Sequence, residues 1–315
     1  MKTGTKVALG AAGGLTAVTL AGAYATYLFG FHSPNKTQNI DRNVGLNDQT
    51  RPIYDKLLQM IDEYNEIPFE RVSIVSRDGL KLLGRYYETK AGAPLLICCH
   101  GWRSTPARDF SGTVPVLLRR GYNLLLIEER AMCGSEGHTM TYGIRERYDV
   151  QDWARWATAR FGDGQKIVLY GVSMGAATVL MTSDLELPKT VRAIIADCPY
   201  DTPFRIMKMH GMEVGFPGFI AGSMAILAAG IYGGFSVFEG SPLKSVKRAK
   251  LPILIIHGED DLFVPGEMSE HIAAANPRMI ERVTFPEAGH ARSFVTDPVR
   301  YEAVITDYLD RVLKA

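Results

Sequence analysis

From residue 70 onward, short continuous apolar runs alternate with longer amphipathic stretches. Glu70 to Ser76 and Leu80 to Tyr87 read as two strands joined by Arg77-Asp78-Gly79, a hairpin signal. Further strand-like runs follow at Leu95 to Cys99, Asn123 to Ile127, Lys166 to Tyr170, Val191 to Ala196, Pro252 to Ile256 and Arg282 to Phe285. Most are apolar without alternation, the pattern of strands covered on both faces. Between and after them, helical segments are predicted over Phe110 to Arg120, Gly143 to Phe161, Met174 to Glu186, Asp201 to His210, Glu267 to Ala275 and Pro298 to Leu313. Ile53, Tyr54, Leu57, Leu58, Ile61 and Tyr64 recur at helical spacing and place a short helix ahead of the hairpin. The alternation predicts an α/β protein with a mostly parallel, eight-stranded sheet and helices on both faces.

One segment breaks the pattern. Val214 to Phe238 is uncharged and holds six glycines and Pro217. Its length would cross a bilayer, but a span there would leave the last two strands on the other side of the membrane from their sheet. The segment is instead expected to be a helical cap inserted over about 202–241, with Ile220, Met224, Leu227 and Ile231 on one face. That face meets either the sheet or a substrate.

The N-terminus has its own character. Lys2 and Lys6 precede an uncharged run from Val7 to Phe31, long enough to span a bilayer as a helix. Ala21-Gly22-Ala23 has the look of a signal-peptidase site. The apolar run nevertheless continues past it, with Tyr24, Tyr27, Phe29 and Phe31 where interfacial aromatics belong. An uncleaved anchor over 1–31 is therefore preferred to a cleaved signal. The charges in front of it favour a domain outside the cytoplasm, secreted if cleavage occurs. Residues 32–50 are polar and read as a linker, which leaves 51–315 as one folded domain carrying the cap.

Bulk composition narrows the possibilities. The 315 residues are 46% hydrophobic and 22% charged, with a net charge of +1. This is ordinary globular composition, and no basic run interleaved with aromatics points to nucleic acid. Cys98, Cys99, Cys133 and Cys198 lack metal-ligand spacing and form no disulfide framework. Cys98, Cys99 and Cys198 read as small buried hydrophobes, with Cys98 and Cys99 on opposite faces of one strand. No metal or organic cofactor is implied.

The chemistry is concentrated in Gly171-Val172-Ser173-Met174-Gly175, which ends a strand-like run and opens a small-residue helical run. A serine between strand and helix in G-x-S-x-G sits on a strained turn that presents its hydroxyl above the sheet. Its flanking glycines allow the strand and helix to approach. A serine nucleophile needs a base, and the base needs an orienting carboxylate. With a nucleophile elbow, these follow in the order serine, acid, histidine. His290, in Glu287-Ala288-Gly289-His290-Ala291 after a strand end, is the base. His32, His138, His210, His257 and His271 occupy less suitable places. Glu259, Asp260 and Asp261 compete for the acid after the strand ending at Ile256.

With its hairpin, parallel series and elbow, the chain resembles the α/β-hydrolase superfamily over about residues 50–315. In particular it is similar to bacterial membrane-anchored serine aminopeptidase-like and cinnamoyl-esterase-like hydrolases. The likeness is carried by His100-Gly101-Trp102-Arg103-Ser104, Arg130 to Gly137, Glu146-Arg147-Tyr148-Asp149, Gly171 to Gly175, His257 to Pro265 and Gly289-His290-Ala291. By that resemblance Val264-Pro265 fixes Asp261 as the acid. The oxyanion hole is assigned to the backbone N–H groups of Met174, after the nucleophile, and Trp102, after the third strand. One departure stands out. Relatives read Arg-Ala-His-Gly-x-Ser after the fourth strand, and here Met132 and Cys133 replace the His and Gly.

The resemblance implies a serine hydrolase that cleaves an acyl bond, preferably a carboxylic ester of a small apolar acyl substrate. A peptidase, thioesterase or acyltransferase would share the machinery. A peptidase needs carboxylates in the cap to hold an amino terminus, and only Glu213 and Glu239 stand at its edges. A catalytically silent, membrane-tethered binding protein is the alternative of a different class.

Overall fold

The structure, a computed structural model, describes residues 3–33 and 50–314. In chain order it begins with α1 (Thr3–Gly30) and α2 (Tyr54–Asn65), then strands β1 (Glu70–Val75), β2 (Lys81–Tyr87) and β3 (Leu95–Cys99). Helices α3 (Pro106–Phe110) and α4 (Thr113–Arg119) lead to β4 (Asn123–Ile127), α5 (Glu146–Phe161), β5 (Ile167–Val172) and α6 (Met174–Met181). After β6 (Val191–Asp197) come α7 (Pro203–Glu213), α8 (Gly218–Leu227), a π-helical turn at Ala228–Gly233, and α9 (Pro242–Ser245). The chain closes with β7 (Ile253–Gly258), α10 (Gly266–Ala275), β8 (Ile280–Phe285), α11 (Ser293–Thr296) and α12 (Pro298–Lys314).

The eight strands form one sheet in the order β1-β2-β4-β3-β5-β6-β7-β8. β2 pairs antiparallel with β1 and β4, and the other pairings are parallel. The expected α/β class and mostly parallel sheet are therefore present. Side chains alternate as a strand requires. Leu96 and Cys98 join the core under α12 and α2, while Leu95, Ile97 and Cys99 join the core under α5 and α6. Trp153 and Tyr170 are fully buried in these two layers. Each such side chain stabilises the fold by roughly 1.5–3 kcal/mol on leaving water.

Parallel strands share a direction, so their C-terminal ends open at one edge. A third apolar cluster sits above that edge. It includes Met174, Met181, Ile206, Met207, Phe235 and Val237, and Phe31 from the end of α1 completes it. Helices α7 and α8 lie between β6 and β7 in the chain and pack on each other.

Some helical segments differ from the pattern read in the sequence. Phe110 is the last residue of α3, and the chain becomes helical again only at Thr113, the start of α4. A Cβ on Gly112 would stand 2.3 Å from the Phe294 ring, and this close packing falls at the break. Gly143 to Phe161 becomes helical only at Glu146, because Tyr142 and Gly143 take left-handed φ values of 53° and 81°.

The N-terminal run is a helix, but the anchor expected over 1–31 is not supported. Among the described residues no helix is long and apolar enough to cross a membrane. The last third of α1 packs on protein. Ala23 and Phe31 are buried, and the Tyr24 ring lies 5.1 Å from that of Tyr232. The Tyr27 hydroxyl is 2.8 Å from Thr139 Oγ1. Of the aromatics read as interfacial, Tyr24, Tyr27 and Phe31 thus contact the cap and the loop before α5, while Phe29 is exposed. Most of the linker expected over 32–50 lies outside the described residues.

Candidate active site

Ser173 stands between β5 and α6 with φ 55° and ψ −115°, a strained backbone for a residue with a side chain. The glycines around it have a steric reason. A Cβ on Gly171 would lie 2.2 Å from the Gly175 carbonyl oxygen, and one on Gly175 would lie 2.0 Å from that of Cys99. The Ser173 N–H donates to the Asp197 carbonyl at 2.8 Å, which ties the elbow to the end of β6.

The structure brings Ser173, His290 and Asp261 together. The Ser173 hydroxyl lies 2.8 Å from His290 Nε2, and His290 Nδ1 lies 2.7 Å from Asp261 Oδ2. A carboxylate can only accept, so Nδ1 carries the proton and Nε2 is free to take one from the hydroxyl. The other Asp261 oxygen accepts the N–H groups of Phe263 and Val264, at 2.9 and 2.8 Å. Burial alone would raise the Asp261 carboxyl. The charge of His290, the hydrogen bonds of His257 and His290 and the Val264 N–H outweigh it and hold Asp261 well below the usual carboxylate range. The loops carrying acid and base touch, since a Cβ on Gly258 would lie 2.2 Å from the Ala288 oxygen. Glu259 points elsewhere, accepting from the Thr284 hydroxyl at 2.6 Å.

Of the assigned oxyanion donors, Met174 directly follows the serine, and Trp102 follows Gly101, on which a Cβ would lie 3.2 Å from that of Ser173. Met174 N–H is at the free N-terminal end of α6, and Trp102 N–H is in the loop after β3. Among the described residues no hydrogen-bond acceptor takes either of these backbone groups. The Trp102 loop is closely held. Gly101 N–H donates to Asp109 Oδ2 and the Ser104 hydroxyl to Asp109 Oδ1, both at 2.6 Å. Buried His100 donates from Nδ1 to the Gly101 carbonyl at 3.0 Å and accepts the Glu129 N–H on Nε2 at 3.1 Å. Burial lowers the His100 pKa and favours this neutral form.

Several supporting residues carry little local signal in the sequence. Asp109 is one, because its role depends on a loop that folds back onto its helix. His257 is another. Its Nε2 donates to the Val264 carbonyl at 2.8 Å and lies 3.3 Å from Asp261 Oδ2, so it steadies the acid loop. Its place at a strand end four residues before Asp261 is the clue the sequence offered. Asp197 is buried and accepts from the Tyr301 hydroxyl at 2.7 Å. Burial, partly countered by Tyr301, pushes its carboxyl up to about 6.

The donor geometry suits proton relay better than metal binding. Among the described residues, Cys198, Asp261 and His290 are the one cluster with ligand atoms within 4.8 Å of one another. Burial pushes the Cys198 thiol well up, away from the thiolate a metal needs, and the other two groups are bonded to each other. Cys133 has φ 51°, where the related motif has glycine, and Met132 is buried beneath the cap. A cleft of about 970 Å³, lined by Leu187, Lys189, Arg192 and Leu251, opens at the opposite edge of the sheet.

Comparison with known proteins agrees with this geometry. A family model described as alpha/beta hydrolase fold matches residues 94–221. The chain is 25% identical over 229 residues to the uncharacterized protein YqkD of Bacillus subtilis, covering 69% of this chain and 71% of that one. It is 30% identical over 143 residues to the thiohydrolase aneE of Aspergillus aculeatus, covering 44% of each. Among solved structures, the esterase Pf2001 of Pyrococcus furiosus superposes with a TM-score of 0.64 at 23% identity, covering 80% of this chain and 95% of that one. Sheet order, elbow and matched segment together show that this chain has the α/β-hydrolase fold.

Proposed function

We propose that the protein is a serine hydrolase that cleaves carboxylic esters through an acyl-enzyme on Ser173. The observation that carries the reading is the unbroken relay from the Ser173 hydroxyl through His290 to Asp261. Ser173 attacks the ester carbonyl while His290 Nε2 takes its proton. The developing oxyanion is met by the N–H groups of Met174 and Trp102. The resulting imidazolium is steadied by Asp261 and gives its proton to the leaving alkoxide. Water, deprotonated by His290, then releases the acid and restores Ser173.

The apolar cluster above the strand ends supports an apolar acyl group. Met174, Met207, Phe235 and Val237 belong to it, and Phe263, 4.9 Å from His290 between ring centroids, shields the base. Thioesters are the second reading, favoured by the likeness to the thiohydrolase aneE. A panel of short and long p-nitrophenyl esters, acyl thioesters and aminoacyl amides separates these chemistries. The parent protein is expected to turn over esters and to take a fluorophosphonate label that Ser173→Ala abolishes. Undiminished labelling of Ser173→Ala would remove the nucleophile assignment.

A further inference from the structure

The last carbonyls of a helix have no partner within it and must find donors elsewhere. At the end of α1 those donors come from the active site. Trp102 Nε1 donates to the Gly30 carbonyl at 3.0 Å, and the Tyr142 hydroxyl donates to the same oxygen at 3.2 Å. The Arg103 guanidinium bridges the Leu28 and His32 carbonyls at 3.1 and 2.8 Å. A cation there also complements the negative end of the helix dipole. Just beyond, Met140 N–H donates to the Phe31 carbonyl at 2.8 Å and Ser33 N–H to the His138 carbonyl at 3.0 Å.

Trp102 and Arg103 are consecutive residues of the oxyanion loop, and Arg103 has φ 48°. A side-chain residue holds such a backbone only when its surroundings impose it. Asp109 and His100 secure the loop at Gly101 and Ser104. The Ser104 N–H closes a turn onto the Gly101 carbonyl at 3.2 Å, and the Arg108 guanidinium donates to the Arg103 carbonyl at 3.1 Å. The Trp102 and Arg103 side chains that leave this turn are held by the α1 carbonyls. The Arg103 guanidinium also lies 4.8 Å from the Trp102 ring, so the two side chains reach α1 as a unit.

We propose that the C-terminal turn of α1 is a working part of the active site. It clamps Trp102 and Arg103 so that the Trp102 N–H stays aimed at the oxyanion. Both side chains are positioning residues, since they act through the backbone N–H. The proposal rests on the ester-hydrolase reading of Ser173. It gives the N-terminal helix a role in turnover that does not depend on a membrane.

The test uses the full chain with Trp102→Phe, which keeps a ring but loses the N–H, and with Arg103→Gln and Arg103→Lys. Turnover of a p-nitrophenyl ester is referred to the fraction of sites titrated by fluorophosphonate, and thermal unfolding is followed in parallel. Misplacing one oxyanion donor is expected to lower kcat per titrated site by about 10- to 100-fold, with KM little changed. Arg103→Lys is expected to recover part of the Arg103→Gln loss. A purely structural role would lower Tm and the titrated fraction while leaving kcat per site intact. That result in both Trp102→Phe and Arg103→Gln overturns the clamp. A parent chain that neither hydrolyses esters nor labels at Ser173 overturns the hydrolase reading, and the clamp with it.

Discussion

Gly175 packs directly on the carbonyl of Cys99, so closely that a Cβ would stand 2.0 Å from the oxygen. Helix α6 therefore starts against the end of β3, beside the loop that carries Trp102. Substituting Gly175→Ala must push the helix off the strand. Both are backbone elements of a packed core, so neither yields cheaply. Overpacking of this kind costs about 1–3 kcal/mol or more. A lower denaturant midpoint is expected, together with a loss of ester turnover larger than the loss of folded protein. Full activity in a stable Gly175→Ala protein would mean that the elbow tolerates displacement.

The short contact between Asp261 and His290 predicts a specific failure in Asp261→Asn. The amide keeps the shape but can no longer balance an imidazolium, and its N–H₂ group favours the wrong histidine tautomer. Turnover is expected to fall by about ten-thousandfold with the fold intact. The same variant reports on stability. Asp261 is depressed in the folded protein, so its contribution is present above its unfolded pKa of about 4. It is lost as pH falls from there toward the folded value. Acid unfolding curves of parent and variant should therefore converge below about pH 4 relative to their separation at neutral pH.

Buried Glu129 behaves in the opposite sense. Both its carboxylate oxygens lack a hydrogen-bond partner. Burial pushes its pKa well up, Glu146 and Asp149 add to this, and Arg130 opposes it. The folded protein then keeps a proton that the unfolded chain releases above about pH 4.3. Stability must fall as pH rises through that window, because unfolding releases the proton. Glu129→Gln removes the titration. The variant's Tm relative to the parent is expected to climb as pH rises above about 4.3. A pH-independent difference would show that Glu129 is ionised in the fold.

The sequence made the site legible where chemistry follows a strand end. Ser173, Asp261 and His290 each come after a short apolar run, in an order that one family of folds requires. The loop after β3 could be found the same way. Features that depend on distant partners were not legible. Hydropathy marked Val7 to Phe31 as uncharged, but could not show that Phe31 and Ala23 are covered by the body of the protein. The helical spacing of Phe110 to Arg120 carried no hint of the Phe294 ring that crowds Gly112. His257 looked like a spare histidine because its partner, the Val264 carbonyl, belongs to the backbone.

The Met132-Cys133 departure has a physical consequence of its own. Cys133 takes φ 51° in the loop after β4, a left-handed conformation that costs a side-chain residue roughly 1–2 kcal/mol. Glycine there would relieve the strain but give the unfolded chain more freedom, a loss of about 0.4–1 kcal/mol. The Cys133 thiol lies 3.9 Å from the Ser104 carbonyl, a long and weak contact. Cys133→Gly is therefore expected to stabilise the protein by about 0.5 kcal/mol, up to about 1. The loop supplies no reacting group, so ester turnover should stay within about twofold of the parent. Chemical denaturation with matched slopes measures the gain. A destabilised Cys133→Gly would show that the thiol holds this loop more firmly than its geometry indicates.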